Sequence, residues 1–117
     1  MKIKPALILF LLSACCRAQT VSPDSAKYHE GNLITVCGEI TSGKISESEN
    51  VYLNFGAPYP DNSFTAVIFA KDSINFKEIR PKDYLRKKNI CVTGIIKMYK
   101  EKPEIIVKSP DQINSRD

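Results

Sequence analysis

Apolar and polar positions alternate along five short runs of this chain. A five-residue pattern of valine, any residue, glycine, any residue and isoleucine occurs twice, as Val36-Cys37-Gly38-Glu39-Ile40 and Val92-Thr93-Gly94-Ile95-Ile96. Both copies lie in β-branched stretches, which predicts strands over 33–40 and 90–98. A strand over 51–55 places Val51, Leu53 and Phe55 on one face and Tyr52 and Asn54 on the other. Residues 64–70 form a nearly continuous apolar strand, and 104–108 a fifth, joined to the fourth by the hairpin Lys100-Glu101-Lys102-Pro103. Between these runs, Asp24 as N-cap and Gly31 in the left-handed C-cap position predict a short helix. Pro81 splits 72–89 into helical turns over 74–79 and 81–87, because proline is tolerated at a helix start but not inside one. Residues 41–50 read as a polar, mobile loop, 56–62 as a turn-rich connection and 109–117 as a frayed, flexible tail.

Five strands with a helical connection between the third and fourth follow the order of an OB-fold, a small five-stranded Greek-key barrel. The expected class is all-β with one short helical connection. Residues 1–18 form a targeting segment, 19–32 an N-terminal extension with the short helix, 33–108 the barrel and 109–117 the tail. In that topology the first and fourth strands pair. Aligning the two copies of the pattern turns Val36, Gly38, Ile40, Val92, Gly94 and Ile96 inward and Cys37 and Cys91 outward, on adjacent strands. A disulfide between the two cysteines then requires a register that brings their Cα atoms within about 7 Å. Two separate half-buried thiols are the alternative.

The first residues change the picture of charge and compartment. Lys2 and Lys4 precede the apolar stretch 6–12, which is too short to span a bilayer and reads as an export signal. Leu12-Ser13-Ala14-Cys15 resembles a lipobox with Cys15 as the lipidated residue, whereas Cys16-Arg17-Ala18 fits cleavage before Gln19. The expected location is periplasmic or lipid-anchored in the envelope, with membrane contact only through a lipid on Cys15. The chain carries 17 basic and 13 acidic residues; without Lys2, Lys4 and Arg17 the balance is 14 against 13. A basic pI is therefore poor evidence for nucleic-acid binding. Asymmetry survives: residues 77–102 hold nine basic and three acidic groups, while 19–72 hold three and seven. Such a chain can attract an anion on one face. With one histidine and no paired-cysteine ligand motif, neither a zinc site nor a cofactor is expected.

The chain resembles a family of small exported bacterial OB-fold proteins described as DNA- or nucleic-acid-binding. The segments that carry the likeness are Tyr28-His29-Glu30-Gly31 leading into Ile34-Thr35-Val36-Cys37-Gly38, Tyr52-Leu53-Asn54-Phe55-Gly56 with Tyr59-Pro60, Phe64-Thr65-Ala66-Val67-Ile68, Ile90-Cys91-Val92-Thr93-Gly94 and Lys102-Pro103-Glu104-Ile105. They span almost the whole domain. The resemblance implies the fold more firmly than an activity, since a fold hosts many functions.

Three functions fit these observations. The leading one is a non-catalytic module binding single-stranded DNA or RNA, or a similar anionic polymer, across the second and third strands. Its candidate residues are Tyr52, Asn54 and Phe69, Tyr59 from the following loop, and Lys97, Tyr99, Lys100 and Lys102 from the hairpin. The second is an envelope module for a protein, glycan or small ligand, marked by an exposed apolar patch instead of a basic groove. The third is a metal-dependent nuclease using Glu39, Asp61 and Asp72 with Arg80 and Arg86, residues that form no recognisable motif.

Overall fold

A computed structural model describes residues 18–116, so residues 1–17 of the expected export signal, with Cys15, lie outside the described residues. Among the described residues eight strands form one mixed sheet: β1 (Gln19–Val21), β2 (Leu33–Ile45), β3 (Val51–Gly56), β4 (Asn62–Ile68), β5 (Asn89–Ile95), β6 (Lys97–Tyr99), β7 (Lys102–Ile106) and β8 (Ile113–Ser115). Pairing runs β6-β7-β4-β3-β2-β5-β8, with β1 added alongside β2. The β1–β2 and β4–β7 pairs are parallel. The all-β class stands, but the pairing differs from the expected five-stranded closed barrel, because its path ends at β6 and β8.

The expected fourth strand is two strands, and Ile96 is the reason. Its N–H donates to the Asn32 carbonyl and its carbonyl accepts from the Gly31 N–H, which holds the chain against the start of β2. Only from Lys97 does the chain enter the ladder with β7. Gly31 takes φ +85°, the left-handed conformation that glycine adopts without steric cost. It follows a 3₁₀ helix, Pro23–His29, whose N-cap is Ser22 rather than Asp24; Pro23 occupies the first turn.

The first half of the polar stretch expected to be a loop over 41–50 is strand. β2 continues to Ile45 and pairs with β3 from Ile40↔Phe55 to Ile45↔Val51, with a bulge between Ile40 and Ser42. Thr41, at the bulge, donates its hydroxyl to the Asn54 carbonyl at 3.1 Å. Only a tight turn remains, in which Glu49 donates to Ser46 and Ser46 to Asn50. The helical turns are likewise 3₁₀: Ala70–Asn75, earlier than expected, and Pro81–Arg86. The third strand therefore stops at Ile68.

The expected tail also carries secondary structure, from Pro110 to Ser115. Pro110–Gln112 forms a 3₁₀ turn and β8 pairs antiparallel with β5 through Ile90↔Ser115, Cys91↔Asn114 and Val92↔Ile113. Ile113 packs on the core. Gln112 ties the segment down: its amide nitrogen donates to the Thr93 and Ile106 carbonyls at 3.0 and 3.1 Å, and its oxygen accepts from the Lys108 and Ser109 N–H groups.

Inward positions of both repeats build the core. Val36 and Val92 are directly paired and fully buried, as are Leu53, Phe55, Phe64, Ile90 and Ile105. Phe55 faces Phe64 across β3–β4 with ring centroids 5.2 Å apart. Each such side chain contributes roughly 1.5–3 kcal/mol by leaving water. On the outer side of the same ladder Cys37 lies opposite Cys91. Their Cα atoms are 4.0 Å apart and a disulfide joins them across a sequence separation of 54. A cross-link closing a loop of that length stabilises by about 4 kcal/mol in the chain-entropy description. The next outward pair, Thr35 and Thr93, shares a hydroxyl hydrogen bond of 2.7 Å.

Candidate functional site

The alternation that buries Leu53 and Phe55 turns Tyr52 and Asn54 to the outer face of β3. Register extends that face into a row across five strands: Ser42↔Asn54, Asn54↔Thr65, Thr65↔Glu104 and Glu104↔Lys97. Beside it run Lys44↔Tyr52, Tyr52↔Val67 and Val67↔Ile106. The face is thus polar along one row and more apolar along the next.

The polar row is knit together at one end. Asn54 is buried, and its amide nitrogen donates to the Ser42 hydroxyl at 3.2 Å. Its oxygen accepts from the Thr65 hydroxyl at 2.9 Å and from Asn62 at 3.3 Å. Asn62 is buried as well and also donates to Thr65 at 2.7 Å. These bonds satisfy side chains that would be costly to bury unpaired. Asn54, proposed from sequence as a ligand residue, is therefore part of the scaffold under the face.

The same cluster couples two loops. Lys102 of β7 extends its ammonium to the Pro60 carbonyl and towards the Asn62 side-chain oxygen, so the β6–β7 hairpin is fastened to the β3–β4 connection. Tyr59, just before Pro60, donates its N–H to the Ser42 hydroxyl and leaves its ring 72 % exposed. On the hairpin, Tyr99 pairs with Lys102 and is 55 % exposed. The turn residues Lys100 and Glu101 take φ of 51° and 68°, the left-handed pair typical of a two-residue hairpin loop. That turn sets the Lys100 ammonium 5.4 Å from the Tyr99 ring centroid.

Of the eight residues proposed from sequence, Asn54, Tyr59, Tyr99, Lys100 and Lys102 converge through this fastening, and Lys97 joins them in the row beyond Glu104. Tyr52 lies on the same face, partly buried. Phe69 lies just past the end of β4. It caps the 3₁₀ helix Ala70–Asn75, with its carbonyl accepting from the Asp72 N–H. Sequence reasoning missed Ser42, Asn62, Thr65 and Glu104. The first two fall in stretches that read as loops, and Glu104 carries no signal beyond alternation. Burial pushes the Glu104 carboxyl above its ordinary value, and Lys97 opposite it pulls the other way.

The nuclease candidates stand on separate elements. Glu39 stands on β2 opposite Asn89, Asp61 in the turn before β4 and Asp72 in a 3₁₀ helix. Arg80 is paired with Asp83 at 3.1 Å, which holds the Asp83 carboxyl below its ordinary value. Among the described residues no group of three histidine, cysteine, aspartate or glutamate side chains is placed to hold a metal ion.

No protein family and no curated protein matches the chain by sequence. Solved structures match it by shape. OBody AM1L10, in a complex with hen egg-white lysozyme, aligns with a TM-score of 0.58 at 13 % identity, covering 86 % of this chain and 94 % of its own. A chain provisionally described as an aspartyl-tRNA synthetase from Leishmania major Friedlin aligns with a TM-score of 0.52 at 8 % identity, over 86 % of this chain and 21 % of its own. The S. pombe Stn1–Ten1 complex aligns with a TM-score of 0.51 at 19 % identity, over 73 % of this chain and 59 % of the other. The likeness is one of fold. It supports an OB-like arrangement of these strands.

Proposed function

We propose that this protein is an exported, non-catalytic OB-fold module that binds single-stranded nucleic acid, or a similar anionic polymer, across the outer face of β3, β4 and β7. The observation that carries the reading is the pair of exposed tyrosines, Tyr59 and Tyr99, on two loops that Lys102 spans, next to Lys97 and Lys100. Exposed rings beside ammonium groups suit stacked bases and a phosphate backbone. In this reading β5 and β6 act as one OB strand bent at Ile96, and Gly94 packed against Ile105 closes the barrel where no ladder does. Stn1–Ten1 shares the fold. The leader pattern and the Cys37–Cys91 disulfide agree with an oxidising compartment outside the cytoplasm.

Fluorescence titration of the protein with oligo(dT) at about 50 and 200 mM salt tests the reading. Micromolar binding that weakens with salt is expected, and Tyr59→Ala and Tyr99→Ala should each lose roughly 1–3 kcal/mol of it. Absence of salt-sensitive binding in that range would reject nucleic acid. A protein ligand in the envelope is the second reading, favoured by the lysozyme complex of the similarly folded OBody.

A further inference from the structure

The pairing path leaves one seam without a ladder, between the end of β5 and the end of β7, and a cleft of about 690 Å³ opens there. Leu33 and Ile95, cross-strand partners at the end of the β2–β5 ladder, line one side and are 53 % and 54 % exposed. Ile106 of β7 lines the other. The backbone carbonyls of Thr93 and Ile106 are already held by Gln112. What remains at the rim is charge: Lys108, and Lys97, which also faces Glu104 across the β6–β7 ladder, with Glu30 the single carboxylate of the lining.

We propose that this cleft binds a single-chain anionic amphiphile, such as a medium-chain alkyl carboxylate. The tail would cover Leu33, Ile95 and Ile106, and the headgroup would sit by Lys97 and Lys108. Three branched side chains gathered in a concavity bind by removal of apolar area from water, and the volume falls in the range of roughly 300–1,000 Å³ typical of small-ligand sites. Lys108 together with Lys97, whose charge Glu104 offsets in part, outweighs Glu30 and selects an anionic head over a cationic one. The proposal does not rest on nucleic-acid binding. Lys97 borders both sites, so Lys108 is the discriminating cation.

Calorimetric titration of the full chain with decanoate tests it, with decyltrimethylammonium as the same tail under the opposite charge. Saturable one-to-one binding of decanoate is expected, at least tenfold tighter than the cation. It should weaken at least tenfold in Ile95→Glu and in Lys108→Glu. The apolar stretch 6–12 is common to all variants and drops out of the comparison. Should Ile95→Glu fail to fold, Lys108→Glu carries the test, since Lys108 is exposed. Absence of saturable binding, equal binding of the two amphiphiles, or unchanged affinity in Lys108→Glu would each overturn the proposal.

Discussion

Gly38 and Gly94 hold the same place in the same five-residue pattern, on strands that pair with each other, yet each admits a different neighbour. A Cβ added at Gly38 would lie 2.8 Å from Pro23 Cγ and 3.6 Å from Phe55. At Gly94 it would lie 2.5 Å from Ile105 Cγ2 and 3.2 Å from the Gln112 amide nitrogen. Gly38 lets the N-terminal 3₁₀ helix rest on β2. Gly94 lets β7 approach β5 where no hydrogen-bond ladder joins them. The two neighbours also differ in how far they can yield. Pro23 is partly exposed, at the start of a seven-residue 3₁₀ helix. Ile105 is fully buried, stiff at χ1 and paired with Ala66 in the sheet. A repeated motif here repeats the need for space, while the tertiary fold decides what fills it.

Gly94→Ala should therefore be the most damaging small substitution in the pair. Crowding a packed core costs about 1–3 kcal/mol, partly offset by the roughly 0.4–1 kcal/mol that alanine gains by restricting the unfolded chain. A net loss of about 2 kcal/mol is expected from the urea midpoint. Ile105→Ala removes the obstructing methyl, so Gly94→Ala made in that background should cost little. An equal cost in both backgrounds would remove Ile105 as the reason for the glycine.

The contrast also shows what a linear pattern can carry. Alternation reported the inward faces well: Val36 with Val92, and Leu53 and Phe55 within β3, are all buried. It also placed Cys37 and Cys91 on one outer side, leaving register to decide the bond. Interactions that depend on one polar side chain reaching a distant backbone left no trace in the pattern. Gln112 looked like part of a frayed polar tail because its partners, Thr93 and Ile106, lie on other strands. Thr41 to Lys44 looked like loop because the bulge hides the alternation and Gly43 breaks it, although that glycine gives room to Leu85. The candidate face was legible as tyrosines and lysines, but not its organisation. Nothing in the sequence says that Asn54 is buried among Ser42, Asn62 and Thr65, or that Lys102 reaches Pro60.

Gln112 sharpens the comparison from the other side, because it bridges the seam that Gly94 keeps narrow. Gln112→Ala removes two donated and two accepted hydrogen bonds, at a partly buried site. Net contributions of roughly 0.5–1.5 kcal/mol per bond, reduced where water can replace the partner, predict a loss of about 1–2 kcal/mol. Hydrogen exchange should locate it. Protection should fall in β8 and at Lys108 and Ser109, with the β3–β4 ladder unchanged. Loss of protection spread evenly over the sheet would mean that Gln112 does not act locally at the seam.

Gly38→Ala should have the smallest effect, below about 1 kcal/mol, because the crowded partner can move and the Phe55 contact at 3.6 Å is ordinary van der Waals distance. The shift needed is a few tenths of an ångström in a helix whose Ser22 N-cap makes no side-chain cap bond. Its consequence should be local: loosened packing of Ala26, the buried residue of that helix, without change at the Cys37–Cys91 bond. Pro23→Ala supplies the control, since removing the ring carbons should make Gly38→Ala neutral or slightly stabilising through the unfolded state. A Gly38→Ala cost equal to that of Gly94→Ala would mean that Pro23 is held as rigidly as Ile105. The difference between the two glycines would then lie only in the identity of the neighbour, not in its freedom to yield.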